Sequence, residues 1–89
     1  MIEVHFSPSF KRAFKKKIKG RPELEEIFYE KLQIFIDNPF DLRLKTHKLS
    51  GKLKDMWSFS INYQIRVVFT FVNSDIAIFE DFGTHNSVY

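Results

Sequence analysis

Cysteine is absent from the 89 residues. That excludes a disulfide framework, a thiolate nucleophile and any cysteine-based metal site. Glycine and proline occur three times each, and there are no linkers, repeats or low-complexity tracts. No stretch approaches the ~20 consecutive apolar residues that a membrane-spanning helix needs. Met1 to Phe6 lacks the charged leader and long apolar run of a secretory signal, so the expected location is the cytoplasm, with no membrane partner. Base is scarce in the last third: after Lys54 the only Lys or Arg is Arg66.

Apolar side chains are plentiful, with 44% hydrophobic residues and 11 Phe. Each buried aromatic removes roughly 150–250 Å² from water, which is enough to build one interior at this length. A single domain over residues 1–89 is expected. The net charge is +3, but its distribution is uneven. Through Lys54 there are 13 basic and seven acidic residues; beyond it Arg66 faces Asp55, Asp75, Glu80 and Asp81. Such asymmetry allows a polyanionic partner on one face.

Ile2, Val4 and Phe6 alternate with Glu3 and His5, the period of a half-buried strand. Ser7-Pro8 stops it and caps a helix over Pro8 to Lys19, with Phe10, Phe14 and Ile18 along one side. Gly20 suits a helix end, and Arg21-Pro22 starts a second helix that Asn38-Pro39 terminates near Asp37. Phe40 to Lys45 reads as a loop and Thr46 to Leu49 as a short strand. Three further strands follow at Met56–Ile61, Ile65–Val72 and Ile76–Phe82, joined by turns at Asn62-Tyr63-Gln64 and Asn73-Ser74-Asp75. The expectation is an α+β fold: an antiparallel sheet of about four to five strands with two N-terminal helices packed on one face.

Arg66 sits among Ile65, Val67, Val68 and Phe69, where an unpaired charge is costly. Either it pairs with Asp75, Glu80 or Asp81, or its fork of donors holds a phosphate on the open side of the sheet. His47 lies in the basic run Lys45-Thr46-His47-Lys48-Leu49-Ser50-Gly51-Lys52-Leu53-Lys54. Such a run is either a solvated loop or a phosphate cradle for RNA built from Lys45, Lys48, Lys52 and Lys54, of which Lys52 and Lys54 could point the same way. His85 follows Gly83 beyond the last strand, and Tyr89 would share its face in a helical turn. His5 reads as an ordinary strand residue, and the histidines and carboxylates show no metal-ligand spacing.

Taken in order along the chain, several of these pieces resemble one family. They are Phe6-Ser7-Pro8-Ser9-Phe10-Lys11, Asn38-Pro39-Phe40, His47-Lys48-Leu49-Ser50-Gly51, Met56-Trp57-Ser58-Phe59-Ser60-Ile61, Ile65-Arg66-Val67-Val68-Phe69, and Gly83-Thr84-His85 through Tyr89. Their order and spacing are similar to those of the RelE/ParE superfamily of toxins from toxin–antitoxin systems. The resemblance covers essentially the whole chain. It implies a RelE-like fold and a metal-independent, ribosome-dependent endoribonuclease that uses no cofactor and blocks translation by cutting mRNA.

By position, Arg66 resembles the strand arginine that stabilises the phosphate, and His85 and Tyr89 resemble the C-terminal pair that moves protons or stacks bases. His47, Lys52 and Lys54 fall in a loop that supplies further catalytic or RNA-binding groups. The implied partners are a cognate antitoxin, mRNA and the ribosome, with the toxin alone a monomer. The chain departs from its resemblance in several places. It has Arg43 and no nearby Glu where some relatives carry a carboxylate base, and near Ser60, Gln64 and Asp81 it lacks the strand histidine, the aspartate and the arginine of the subfamily that uses several histidines. His47 and His85 are therefore both candidates for the base. A gyrase-poisoning toxin of the ParE type, and an inactive antitoxin-binding relative, are the competing readings.

Overall fold

The computed structural model describes residues 1–84. Five strands and two α-helices follow one another as β1 (Glu3–Phe6), α1 (Pro8–Ile18), α2 (Pro22–Asp37), β2 (His47–Lys48), β3 (Trp57–Ser60), β4 (Ile65–Asn73) and β5 (Ile76–Thr84). Short 3-10 turns at Leu42–Leu44 and Gly51–Leu53 flank β2. The expected α+β class holds, with both helices on one face of one sheet. The first of these turns falls within the stretch expected as loop.

Local chemistry accounts for the helix ends. The Ser7 hydroxyl accepts from the Phe10 backbone N–H at 3.0 Å and Pro8 fills the first turn, so two unpaired helix-end donors are removed at little cost. Gly20 takes φ +72°, a left-handed conformation that lets α1 turn directly into α2. The acidic residues Glu23 and Glu25 occupy the first turn of α2, where the helix dipole favours negative charge.

The strand order is β1-β5-β4-β3-β2. Strands β2 to β5 pair antiparallel as expected, whereas β1 joins β5 in parallel with Val4 opposite Ala77 and Phe6 opposite Phe79. The parallel pairing follows from the chain path: β1 and β5 lie at opposite ends of the sequence, so no hairpin constrains their direction.

Alternation along the strands divides the sheet. Phe59, Val67, Phe69, Phe79 and Phe82 turn toward the helices and pack with Phe10, Leu24, Phe28 and Phe35 in one buried cluster. A register shift between Val68 and Phe69 opposite Asp81 and Phe79 lets both Phe79 and Phe82 reach this face, although they are three apart. His47 opposes Ser58, Ser58 opposes Val68, and Val68 opposes Asp81. Because paired residues share a side, these four form a row across the other face. Ser60, Arg66 and Gly83 form the next row.

Candidate nucleic-acid site

Arg66 lies near the start of β4, half-buried, on the face without helices. Its Nη1 donates to the Ser60 hydroxyl at 3.0 Å and to the Asn62 carbonyl at 3.3 Å. Among the described residues no carboxylate forms an ion pair with it. The three carboxylates considered as partners are placed otherwise. Asp75 sits at the far end of β4, Glu80 accepts from the Thr70 hydroxyl, and Asp81 accepts from the Phe82 backbone N–H. Two neutral acceptors orient the guanidinium and leave its charge uncompensated, which suits it to an incoming anion.

That guanidinium lines a cavity of about 220 Å³ together with Lys31, Arg43, Lys45, Ser60, Ile61, Asn62 and Tyr63. Four cations from three segments converge here: α2, the turn that follows it, and β4. Lys31 comes from α2 and donates its Nζ to the Arg43 carbonyl at 3.5 Å. Lys45 caps the turn after α2 in a left-handed conformation, φ 53° and ψ 41°, a backbone state costly for a side chain with a Cβ and characteristic of functional sites.

Arg43 is partly spent. Its Nε and Nη2 donate to the two Asp41 carboxylate oxygens at 3.0 and 2.9 Å, and its backbone N–H donates to Oδ1 at 2.9 Å. These bonds, from the guanidinium first and the backbone second, pull the Asp41 carboxyl down to about 2 and raise Arg43. Asp41 is thus an anchored counter-charge and a poor proton acceptor near neutral pH.

His47 stands on the same face as Arg66, two strands across and one row along. Strand spacing and rise place the two Cα atoms on the order of 12 Å apart. His47 Nδ1 lies 3.1 Å from the Lys45 carbonyl. A carbonyl can only accept, so Nδ1 is the donor, and in the neutral ring the lone pair is then on Nε2.

The remaining sequence candidates are dispersed. Lys48 opposes Trp57 and so faces the opposite side from its neighbour His47. Lys52 lies within the 3-10 turn Gly51–Leu53 and Lys54 caps it; at three residues per turn, side chains two apart diverge rather than align. All three are exposed. His85 and Tyr89 lie outside the described residues. The structure joins Lys45 to Arg66 and adds Lys31, Arg43 and Tyr63, which sequence reading did not select. Lys31 and Arg43 carry no local signal, whereas an aromatic in the turn Asn62-Tyr63-Gln64 was a visible cue. Among the described residues no group of three or more His, Asp or Glu is placed to hold a metal ion, and no helix is long and apolar enough to cross a membrane.

Neither a family model nor a curated relative matches the sequence. Solved structures do match its shape. A copper-bound mutant toxin from Helicobacter pylori superposes with a TM-score of 0.81 at 22% identity, over 100% of both chains. YafQ from E. coli superposes at 0.80 and 16% identity, over 100% of this chain and 99% of its own. The E. coli DinJ–YafQ toxin–antitoxin complex matches at 0.78 and 17% identity, over 99% and 97%. The chain has the RelE-like toxin fold. Copper is a property of the Helicobacter protein, and DinJ is the partner of YafQ. Within the RelE-like fold, Arg66 opens the central strand at the end of the sheet where the four cations meet.

Proposed function

We propose that this protein, as a single toxin domain over residues 1–89, is the toxin of a type II toxin–antitoxin pair and cuts ribosome-bound mRNA in the cytoplasm. The observation that carries the reading is Arg66, oriented by Ser60 and Asn62, without a carboxylate partner among the described residues, in one cavity with Lys31, Arg43 and Lys45. The likeness of the fold to YafQ, which is found with an antitoxin, supports the toxin role and a cognate antitoxin as partner. Until that antitoxin binds, the toxin acts as a monomer.

The chemistry is transfer of the phosphate to the neighbouring ribose oxygen. A base takes the proton of the 2′-OH, the O2′–P bond forms as P–O5′ breaks, and the departing 5′ oxygen takes up a proton. The products are a 2′,3′-cyclic phosphate and a free 5′-OH. His47 Nε2 is the base within the described residues. Arg66 and Lys45 stabilise the charge that builds on the phosphorane. His85 and Tyr89 are proposed as proton donor and base-stacking partner on the resemblance alone, with Lys48, Lys52 and Lys54 holding flanking phosphates.

Expression without antitoxin should arrest growth, and primer extension on translated mRNA should show cuts in reading frame. Arg66→Ala should relieve the arrest and reduce cleavage by two to three orders of magnitude, the usual cost of losing one transition-state donor, ~10²–10³. Arg66→Lys should recover little, because a point charge does not reproduce the fork. Intact mRNA together with altered plasmid supercoiling would replace this reading with gyrase poisoning, and no effect on growth would favour an inactive antitoxin-binding relative.

A further inference from the structure

Among the described residues every Phe, together with Trp57 and Tyr29, belongs to a network of ring contacts, from Phe6–Phe10 at 5.1 Å to Trp57–Phe71 at 5.7 Å. Tyr63 is the one described aromatic outside it. It is 85% exposed and stands on the rim of the cavity that Arg66, Lys31, Arg43 and Lys45 share. The β3–β4 connection does not need it: turns favour Asn, Gly and Asp, and a large exposed ring there contributes nothing to the interior.

The turn that presents this ring is firmly built. Asn62 Oδ1 accepts from the backbone N–H groups of both Gln64 and Ile65 at 2.8 Å, closing a local ring around Tyr63. The Asn62 carbonyl in turn accepts from Arg66 Nη1. One short segment therefore fixes both the guanidinium and the aromatic. A flat exposed ring beside a cluster of cations is the pairing by which proteins grip single-stranded nucleic acid, with cations on the phosphates and the ring under a base.

Resting on the RNA reading above, we propose that Tyr63 is a substrate-positioning residue that stacks beneath the base adjoining the phosphate bound by Arg66. Its role is to hold the strand in register against Arg66 and His47, and because every base has a π face it does so with little sequence preference.

The test uses the full-length protein and two short strands at one fixed salt concentration, followed by fluorescence anisotropy. One is a 2′-O-methyl RNA, which lacks the attacking hydroxyl and is not cut; the other is an abasic strand with the same number of phosphates. Wild type should prefer the base-bearing strand by about fivefold to 150-fold, the range for one base–aromatic stack. Tyr63→Ala should lower that preference by at least about fivefold while binding the abasic strand unchanged, and Tyr63→Phe should keep it. Thermal unfolding of each variant should match wild type, since the ring is exposed. A Tyr63→Ala protein whose preference for the base-bearing strand equals that of wild type would overturn the stacking role and leave the RNA reading standing. Binding of neither strand by wild type would overturn both.

Discussion

The Asp41–Arg43 pair sets how much positive charge the site presents. The carboxyl is held near 2 against an ordinary value of 3.8, first by the guanidinium hydrogen bonds. Since its value is lower in the fold than in the unfolded chain, the pair stabilises the fold fully above about pH 4, and that contribution disappears as pH falls toward 2. Unfolding midpoints followed from pH 5 to 2 should fall less steeply in Asp41→Asn than in wild type. The same variant has a functional reading in the opposite direction. The amide oxygen still accepts from the backbone at residue 43, but Arg43 is no longer neutralised. Affinity for the 2′-O-methyl strand should rise, and its logarithmic salt slope should steepen by about 0.7, as expected for one more phosphate contact on a single strand.

At the scale of elements, much of the fold was legible because its rules are local. Ser7-Pro8, Gly20 and Asn38-Pro39 mark helix ends by hydrogen-bonding capacity and allowed backbone angles, and the helices run within a residue of the expected bounds. The Ser7 hydroxyl has a second contact, to the Glu80 carbonyl at 3.3 Å, which ties the start of α1 to β5. Ser7→Ala should cost about 1 kcal/mol for the cap, read as a shift in the urea midpoint at unchanged slope. Other features were not legible. Parallel pairing of β1 with β5 joins residues more than seventy positions apart, and the register shift near Glu80 depends on which strand lies opposite. The site divides in the same way. Arg66 stood out because a charge in an apolar strand is costly, and Lys45 because it lies in a basic run. Lys31 and Arg43 join them only through the packing of α2 and its following turn against the sheet.

On the scale of the whole molecule, cations gather at two neighbouring places. The first is the Arg66 cavity. The second is a cleft of about 510 Å³ between the end of α1 and β5, lined by Ala13, Lys16, Lys17, Lys19, Arg21, Asp81 and Phe82. Gly83, directly opposite Arg66, follows Phe82 in β5, so the strand that borders the cleft is the neighbour of the strand that carries Arg66. Between Ser7 and Pro22 there are seven Lys and Arg and no acidic residue. A short strand and a long one should therefore titrate differently with salt. A trinucleotide carrying a 5′-phosphate, three phosphates in all, reaches only the first group, where Lys31, Lys45 and Arg66 form no ion pair with a carboxylate among the described residues. Its binding should weaken with a logarithmic slope of about −2, three contacts at ~0.7 each. A strand of about ten nucleotides extends over the cleft and should show a steeper slope. Lys16→Ala combined with Lys17→Ala should lower the slope of the long strand by about 1.4 and leave the trinucleotide unaffected, whereas Arg66→Ala should lower both by about 0.7. Equal slopes for the two lengths would confine nucleic acid to the Arg66 cavity and leave the cations of α1 to another partner.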